Sequence, residues 1–157
     1  WEATQGQGNY VATLGTYCRG VEVNELTRPF VEGYFEKYGE TPTYTADTFT
    51  AIVYGLGGTI EEEGTLDPDK LVAALEERVY KVPAGTIKYM KDEQGHHLHD
   101  VTWGPGYLTS LGVQWQDGEM KAFWPYKWKA APEAPEVTHE GVVPYKIAPW
   151  VVEEYKK

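Results

Sequence analysis

At Gly85 the spacing of apolar residues changes from the three-to-four step of helices to the two-step of strands, and this change limits the folds open to the chain. Three helix signals precede it. Thr27 offers a cap before Arg28 and Pro29, Phe30, Tyr34 and Tyr38 recur at spacing four, and Gly39 sits where a left-handed terminator belongs, so a helix is predicted over 28–38. After Pro42, Thr45 can cap a second helix over 46–62, in which Ala46, Phe49, Val53, Leu56 and Ile60 form an apolar stripe that reads as its buried face. Gly55, Gly57 and Gly58 each weaken such a helix by about 1 kcal/mol against Ala, which points to close packing on another backbone or to a break. In the third, over 68–78, Asp67 is the cap, Pro68 takes the first helical position, and Leu71, Ala74, Leu75 and Arg78 continue it.

Beyond Gly85, Ile87 and Tyr89 alternate with Lys88 and Met90 as in a strand. Tyr107, Thr109, Leu111, Val113 and Trp115 repeat that pattern, and Gln116-Asp117-Gly118 turns into a returning strand of Met120, Ala122 and Trp124, a hairpin over 107–124. A further short strand is expected within 10–17, between Gly8 and Gly20. The prolines at 125, 132, 135, 144 and 149 make 126–157 read as a tail draped on the body, with an extended connection from Ala131 to Pro135 and pins at Trp128, Tyr145 and Trp150.

At 157 residues the chain is long enough for one domain with a core of its own. Its 24 acidic and 14 basic residues give a formal charge of −10, a field that repels phosphate backbones and anionic headgroups, so nucleic acid is not expected as a partner. No run approaches the roughly 20 apolar residues of a membrane span, and no membrane insertion of this segment is expected. The opening at Trp1, without an initiator Met or an apolar signal core, reads as a fragment or processed product. Cys18 is the sole cysteine, which excludes an internal disulfide and leaves the compartment open.

Candidate chemistry is sparse. His96-His97-Leu98-His99-Asp100 has metal-capable side chains, but one short segment supplies them all and no second ligand pair stands nearby in sequence, so it reads as a solvated loop with no metal. Gly55-Leu-Gly-Gly58 lacks the Lys-Ser/Thr ending of a phosphate loop, Glu61-Glu62-Glu63 reads as a solvated helix end, and Cys18 has no histidine near it in sequence. No catalytic residue and no cofactor are assigned. Tyr44 and Asp47 flank the start of the second helix, where free amides and the helix dipole favour anionic groups and a Tyr hydroxyl can orient polar ones; a helix-start role alone would also account for them. Trp103, in Trp103-Gly-Pro-Gly106, lies on a loop that can wall a pocket, with core packing as its plain alternative.

Three stretches together carry a resemblance: Thr27-Arg-Pro-Phe-Val-Glu-Gly-Tyr-Phe-Glu-Lys-Tyr-Gly39 followed by Pro42, Tyr44 and Ala46; Gly64-Thr-Leu-Asp-Pro-Asp-Lys-Leu-Val-Ala-Ala-Leu75; and Ala84-Gly-Thr-Ile-Lys-Tyr-Met-Lys-Asp-Glu-Gln-Gly95. In order and spacing they resemble the C-terminal part of type I periplasmic solute-binding proteins of the branched-chain amino acid and amide group, over roughly residues 10–124, and the Gly112–Gly118 hairpin fits as well. The resemblance implies an α/β fold, the C-terminal part of a clamshell whose lobes are joined by crossing strands, with 1–125 contributing to both lobes and 126–157 as the tail. Thr13 to Tyr17 and Thr86 to Tyr89 would be crossings, which places Tyr17 beside the ligand cleft, with core packing as its plain alternative, and the first lobe would lie upstream. It further implies a periplasmic or extracellular protein, lipid-anchored in a full-length parent, that captures amino acids, amides or similar small solutes for an ABC permease and is not an enzyme. A ligand-sensing receptor of the same fold is the alternative. A carbohydrate-binding module, suggested by Trp115, Phe123, Trp124, Trp128 and Trp150, sits poorly with three clustered helices.

Overall fold

Local signals decide the helix ends. The computed structural model describes residues 2–128 and 137–156; the expected Ala131 to Pro135 connection lies outside them, as does the side chain of Trp128. Helix α1 (Thr27–Tyr38) stops at Gly39, whose φ of 76° lets its N–H reach Phe35 O at 2.8 Å. Thr27 is not its cap: the hydroxyl is buried, accepts from Val23 N and Asn24 N, and donates to Pro83 O at 2.8 Å, tying the helix to a distant turn. Helix α3 (Pro68–Glu77) starts as its sequence dictates, with the Asp67 carboxylate accepting from Asp69 N at 3.1 Å and Lys70 N at 3.3 Å.

Helix α2 corrects the sequence reading in two ways. It runs from Thr45–Thr50 through a wide π-helical stretch, Ala51–Gly57, into Gly58–Glu63, so the glycines loosen the helix without breaking it. The middle of its apolar stripe also faces outward: Phe49 is 70% and Val53 64% exposed, with Leu56 exposed as well, while Ala46 packs on the core and Thr50, Gly55 and Thr59 are buried. The reason lies in what packs beneath. A Cβ on Gly55 would come within 2.5 Å of the Tyr80 hydroxyl and one on Gly58 within 2.7 Å of the Arg78 guanidinium, so the glycines admit two large side chains and not another backbone. Arg78 then donates to the backbone carbonyls of Gly55 at 2.7 Å and Tyr54 at 3.3 Å, in the widened turn, and to Thr59 Oγ1 at 2.9 Å and Glu62 Oε1 at 2.7 Å.

The strands form two antiparallel three-stranded sheets in a mixed α/β arrangement. In one, β1 (Ala12–Gly15) pairs with β5 (Leu111–Gln116), which pairs with β6 (Glu119–Trp124) across a turn in which Asp117 and Gly118 both have positive φ. In the other, β2 (Val79–Val82), β3 (Gly85–Lys91) and β4 (His97–Val101) lie in sequence order. The two segments expected to cross between lobes therefore belong to different sheets. Strands β2 and β4 are additions to the sequence reading, and the histidine segment is a strand and not a loop. The expected hairpin is shorter than 107–124, because Tyr107 closes a turn by donating from its N–H to Gly104 O at 3.0 Å.

Two apolar clusters hold these parts together. Tyr17, Val31, Tyr80, Val82, Ala84 and Ile87 form one, between α1, α2 and the second sheet. Cys18, Val21, Leu111, Val113 and Ala122 form the other, under the first sheet. The tail lies on that sheet: Gln114 Nε2 and Gln116 Nε2 donate to Lys146 O and Pro144 O at 2.9 and 3.0 Å, Tyr145 packs edge-on to Phe123 at 5.0 Å, and Trp150 to Tyr10 at 5.4 Å. It includes a two-residue ladder of β7 (Lys127–Trp128) with β8 (Val137–Thr138) and ends in a helix the prolines had not suggested, α4 (Pro149–Tyr155), with Pro149 in its first turn.

Candidate functional site

Where β1 ends, the chain carries Thr16 and Tyr17 toward the start of α2. Tyr17 is 3% exposed, its ring tilts against Phe30 at 5.3 Å, and its hydroxyl donates to Asp47 Oδ1 at 2.6 Å. Burial pushes the Tyr17 phenol well above its ordinary value, with the neighbouring Asp47 adding to the effect, so it remains a neutral donor. Burial also raises the Asp47 carboxyl, and the Tyr17 and Thr16 hydroxyls bonded to it work in the opposite direction by favouring the anion.

Two adjoining cavities open on this pair and share Thr16 and Ser110 in their walls. The first, of about 260 Å³, has Asp47, Thr48 and Thr109 as further polar groups, an apolar floor that includes Val82, Ala84, Ile87 and Leu108, and Trp103 as a wall. The Trp103 loop is held by Gly104 N donating to Leu108 O at 2.9 Å, while the indole stays 63% exposed. The second cavity, of about 480 Å³, is lined by Tyr17, Tyr44 and the Thr41–Thr45 segment on one side and by β1 on the other.

All four residues singled out from sequence thus lie on these cavities, Asp47 and Trp103 on the first, Tyr17 and Tyr44 on the second. The expectation that the start of α2 favours anions does not fit the geometry. Ala46 N and Asp47 N already donate to Thr43 O and Tyr44 O at 2.9 and 3.1 Å, and Asp47 puts a negative charge at that point. Thr16, Thr109 and Ser110 were missed; hydroxyl residues in strand-like segments carry no signal of a cavity until the chain folds.

Other constellations resolve as structure. His97 Nε2 and Glu77 Oε1 lie 3.0 Å apart, His99 Nε2 and Glu76 Oε1 2.6 Å, and Lys91 Nζ donates to Glu77 at 2.6 Å, so the histidines pair strand β4 with the end of α3. The acidic partners lie about twenty positions away and were invisible to a local reading. No group of three or more His, Cys, Asp or Glu side chains among the described residues is arranged to hold a metal ion. Cys18 is buried, its Sγ donates to Met120 O at 3.4 Å, and burial pushes its thiol up, away from reactive thiolate chemistry. No helix among the described residues is long and apolar enough to cross a membrane.

Comparison of the chain with protein-family models, with curated proteins and with solved structures gives no match.

Proposed function

We propose that the chain is the C-terminal part of a solute-binding protein of the branched-chain amino acid and amide type, working outside the cytoplasm as the ligand-capturing component of an ABC importer. The observation that carries this reading is the convergence of Tyr17, Tyr44, Asp47 and Trp103 on two adjoining cavities that share Thr16 and Ser110, with buried and exposed aromatics, hydroxyls and, among the described lining residues, one carboxylate. Such a mixture of apolar wall and few polar groups is the make-up of small-molecule sites. The outward stripe of α2 supports the same reading. Phe49, Ile52, Val53 and Leu56 stand exposed on a helix with no charged residue from 48 to 60, a surface that a remaining part of a clamshell lobe would cover. A receptor that signals through a partner instead of feeding a permease would use the same site.

A clamshell gains affinity by enclosing its solute between two faces, so this chain, supplying one, should bind weakly. Isothermal titration with L-leucine, L-valine, aromatic amino acids and short amides is expected to give no affinity tighter than about 1 mM. Amide shifts followed by NMR in the same titrations should move at Tyr17, Asp47 and Trp103. Shifts confined to another surface would sink the proposal.

A further inference from the structure

Resting on that reading of the site, we infer that the cavities at Asp47 take a solute with a positive charge: a small alkylammonium whose charged head meets the Asp47 carboxylate and whose short chain lies on the floor of Val82, Ala84, Ile87 and Leu108. Among the described residues lining the two cavities, Asp47 is the sole charged side chain. Its carboxylate has no cationic partner of its own, since none of the ion pairs among the described residues involves it. It is nevertheless fixed in place, because the Tyr17 hydroxyl holds Oδ1 at 2.6 Å. A carboxylate kept partly out of water and left without a counter-charge is destabilised as an anion, which is the direction in which burial moves it. An arriving ammonium relieves that cost; an arriving carboxylate adds to it.

Two further features select the same class. Trp103 offers an exposed indole on the wall of the Asp47 cavity, and an aromatic ring attracts a cation that settles on its face, beyond its apolar contact. The chain's formal charge of −10 concentrates cations near its surface and repels anions. The hydroxyls of Thr16, Thr48, Thr109 and Ser110 can accept from an ammonium N–H, and no Lys, Arg or His among the described lining residues stands ready for an acid. At about 260 Å³ the Asp47 cavity falls below the range of roughly 300–1,000 Å³ typical of drug-sized ligands, which favours a compact solute.

Three probes of similar shape separate charge from fit: isobutylammonium, isobutyramide and isobutyrate, titrated by NMR into the 157-residue chain at low salt up to about 100 mM. The ammonium is expected to bind at least about tenfold more tightly than the amide, with the carboxylate weakest and the preference shrinking as salt is added. Asp47→Asn keeps the shape and an acceptor for Tyr17 and should bring ammonium and amide to within about twofold of each other. Should that variant unfold, Trp103→Ala, at an exposed position, is expected to weaken the ammonium by at least about threefold more than it weakens the amide, since both lose the apolar contact and only the ammonium loses the attraction to the ring. An amide or carboxylate that binds as tightly as the ammonium overturns the inference and leaves the solute-binding proposal standing. If none of the three, and none of the amino acids or amides, moves resonances at the cavities, both fail.

Discussion

Replacing Tyr17 with Phe tests the link between the core and the site. The ring is 3% exposed and packs on Phe30, and Phe retains that packing, so the change isolates the 2.6 Å bond from the hydroxyl to Asp47. A hydrogen bond to an ionised group contributes about 1.5–3 kcal/mol, and one to a neutral group about 0.5–1.5 kcal/mol. Burial raises the Asp47 carboxyl above its ordinary value. For an acid raised in the folded state, the associated stability is fully present below the unfolded value of about 3.9 and is lost as pH rises through the folded value. The Tyr17 bond opposes that loss by favouring the anion, so its removal raises Asp47 further and makes the variant lose more stability on going to neutral pH. Urea unfolding of both proteins should therefore give a deficit of about 1.5–3 kcal/mol at pH 7, narrowing to about 0.5–1.5 kcal/mol near pH 4. In thermal unfolding the neutral-pH deficit corresponds to roughly 3–12 °C for a domain of this size. A deficit below about 0.5 kcal/mol at pH 7, or one of equal size at both pH values, would refute the reasoning.

Gly55→Ala should destabilise by about 1–3 kcal/mol in urea, because the new methyl meets the buried Tyr80 ring; a neutral or stabilised variant would show that α2 is free to shift. Arg78→Lys should lose about 1.5–3 kcal/mol, since one ammonium cannot reproduce the fork that bridges Gly55 O, Thr59 and Glu62, and wild-type stability in this variant would remove the clamp from the account. Val53→Ser, on the outward stripe, should change the stability of the isolated chain by no more than about 0.5 kcal/mol, whereas a loss above about 2 kcal/mol would place that stripe inside. Cys18 should resist a thiol-reactive dye in the native chain and react fully in denaturant; rapid native labelling would contradict its burial.

Features that depend on a few neighbouring residues were legible before folding. Asp67-Pro68 starts α3, Gly39 stops α1, and Asp117-Gly118 turns β5 into β6, in each case because the backbone requirement is met within three or four positions. Strand β2 was missed because its alternating Val79-Tyr80-Lys81-Val82 is four residues long and directly follows a helix. Strand β4 was missed because histidines carry little strand signal, and the pairing of Lys91 with His97 that defines it belongs to two chain segments at once.

The site divides along the same line. Its residue types could be chosen from sequence, since Tyr44 and Asp47 mark a helix start and Trp103 a glycine-flanked loop. Sequence by itself determined the first three helices, the central hairpin and the acidic balance, all consequences of local propensity, periodicity or composition, but not α4 in the tail. Which face of α2 turns inward was decided only in three dimensions. Periodicity identifies an apolar face without saying what will cover it, and here Tyr80 and Arg78 required a surface of glycine and threonine. The joining of Tyr17 to Asp47, thirty residues apart, and the uncompensated charge of Asp47 in the cavity wall likewise arise from packing, because burial and partnership belong to the space between segments.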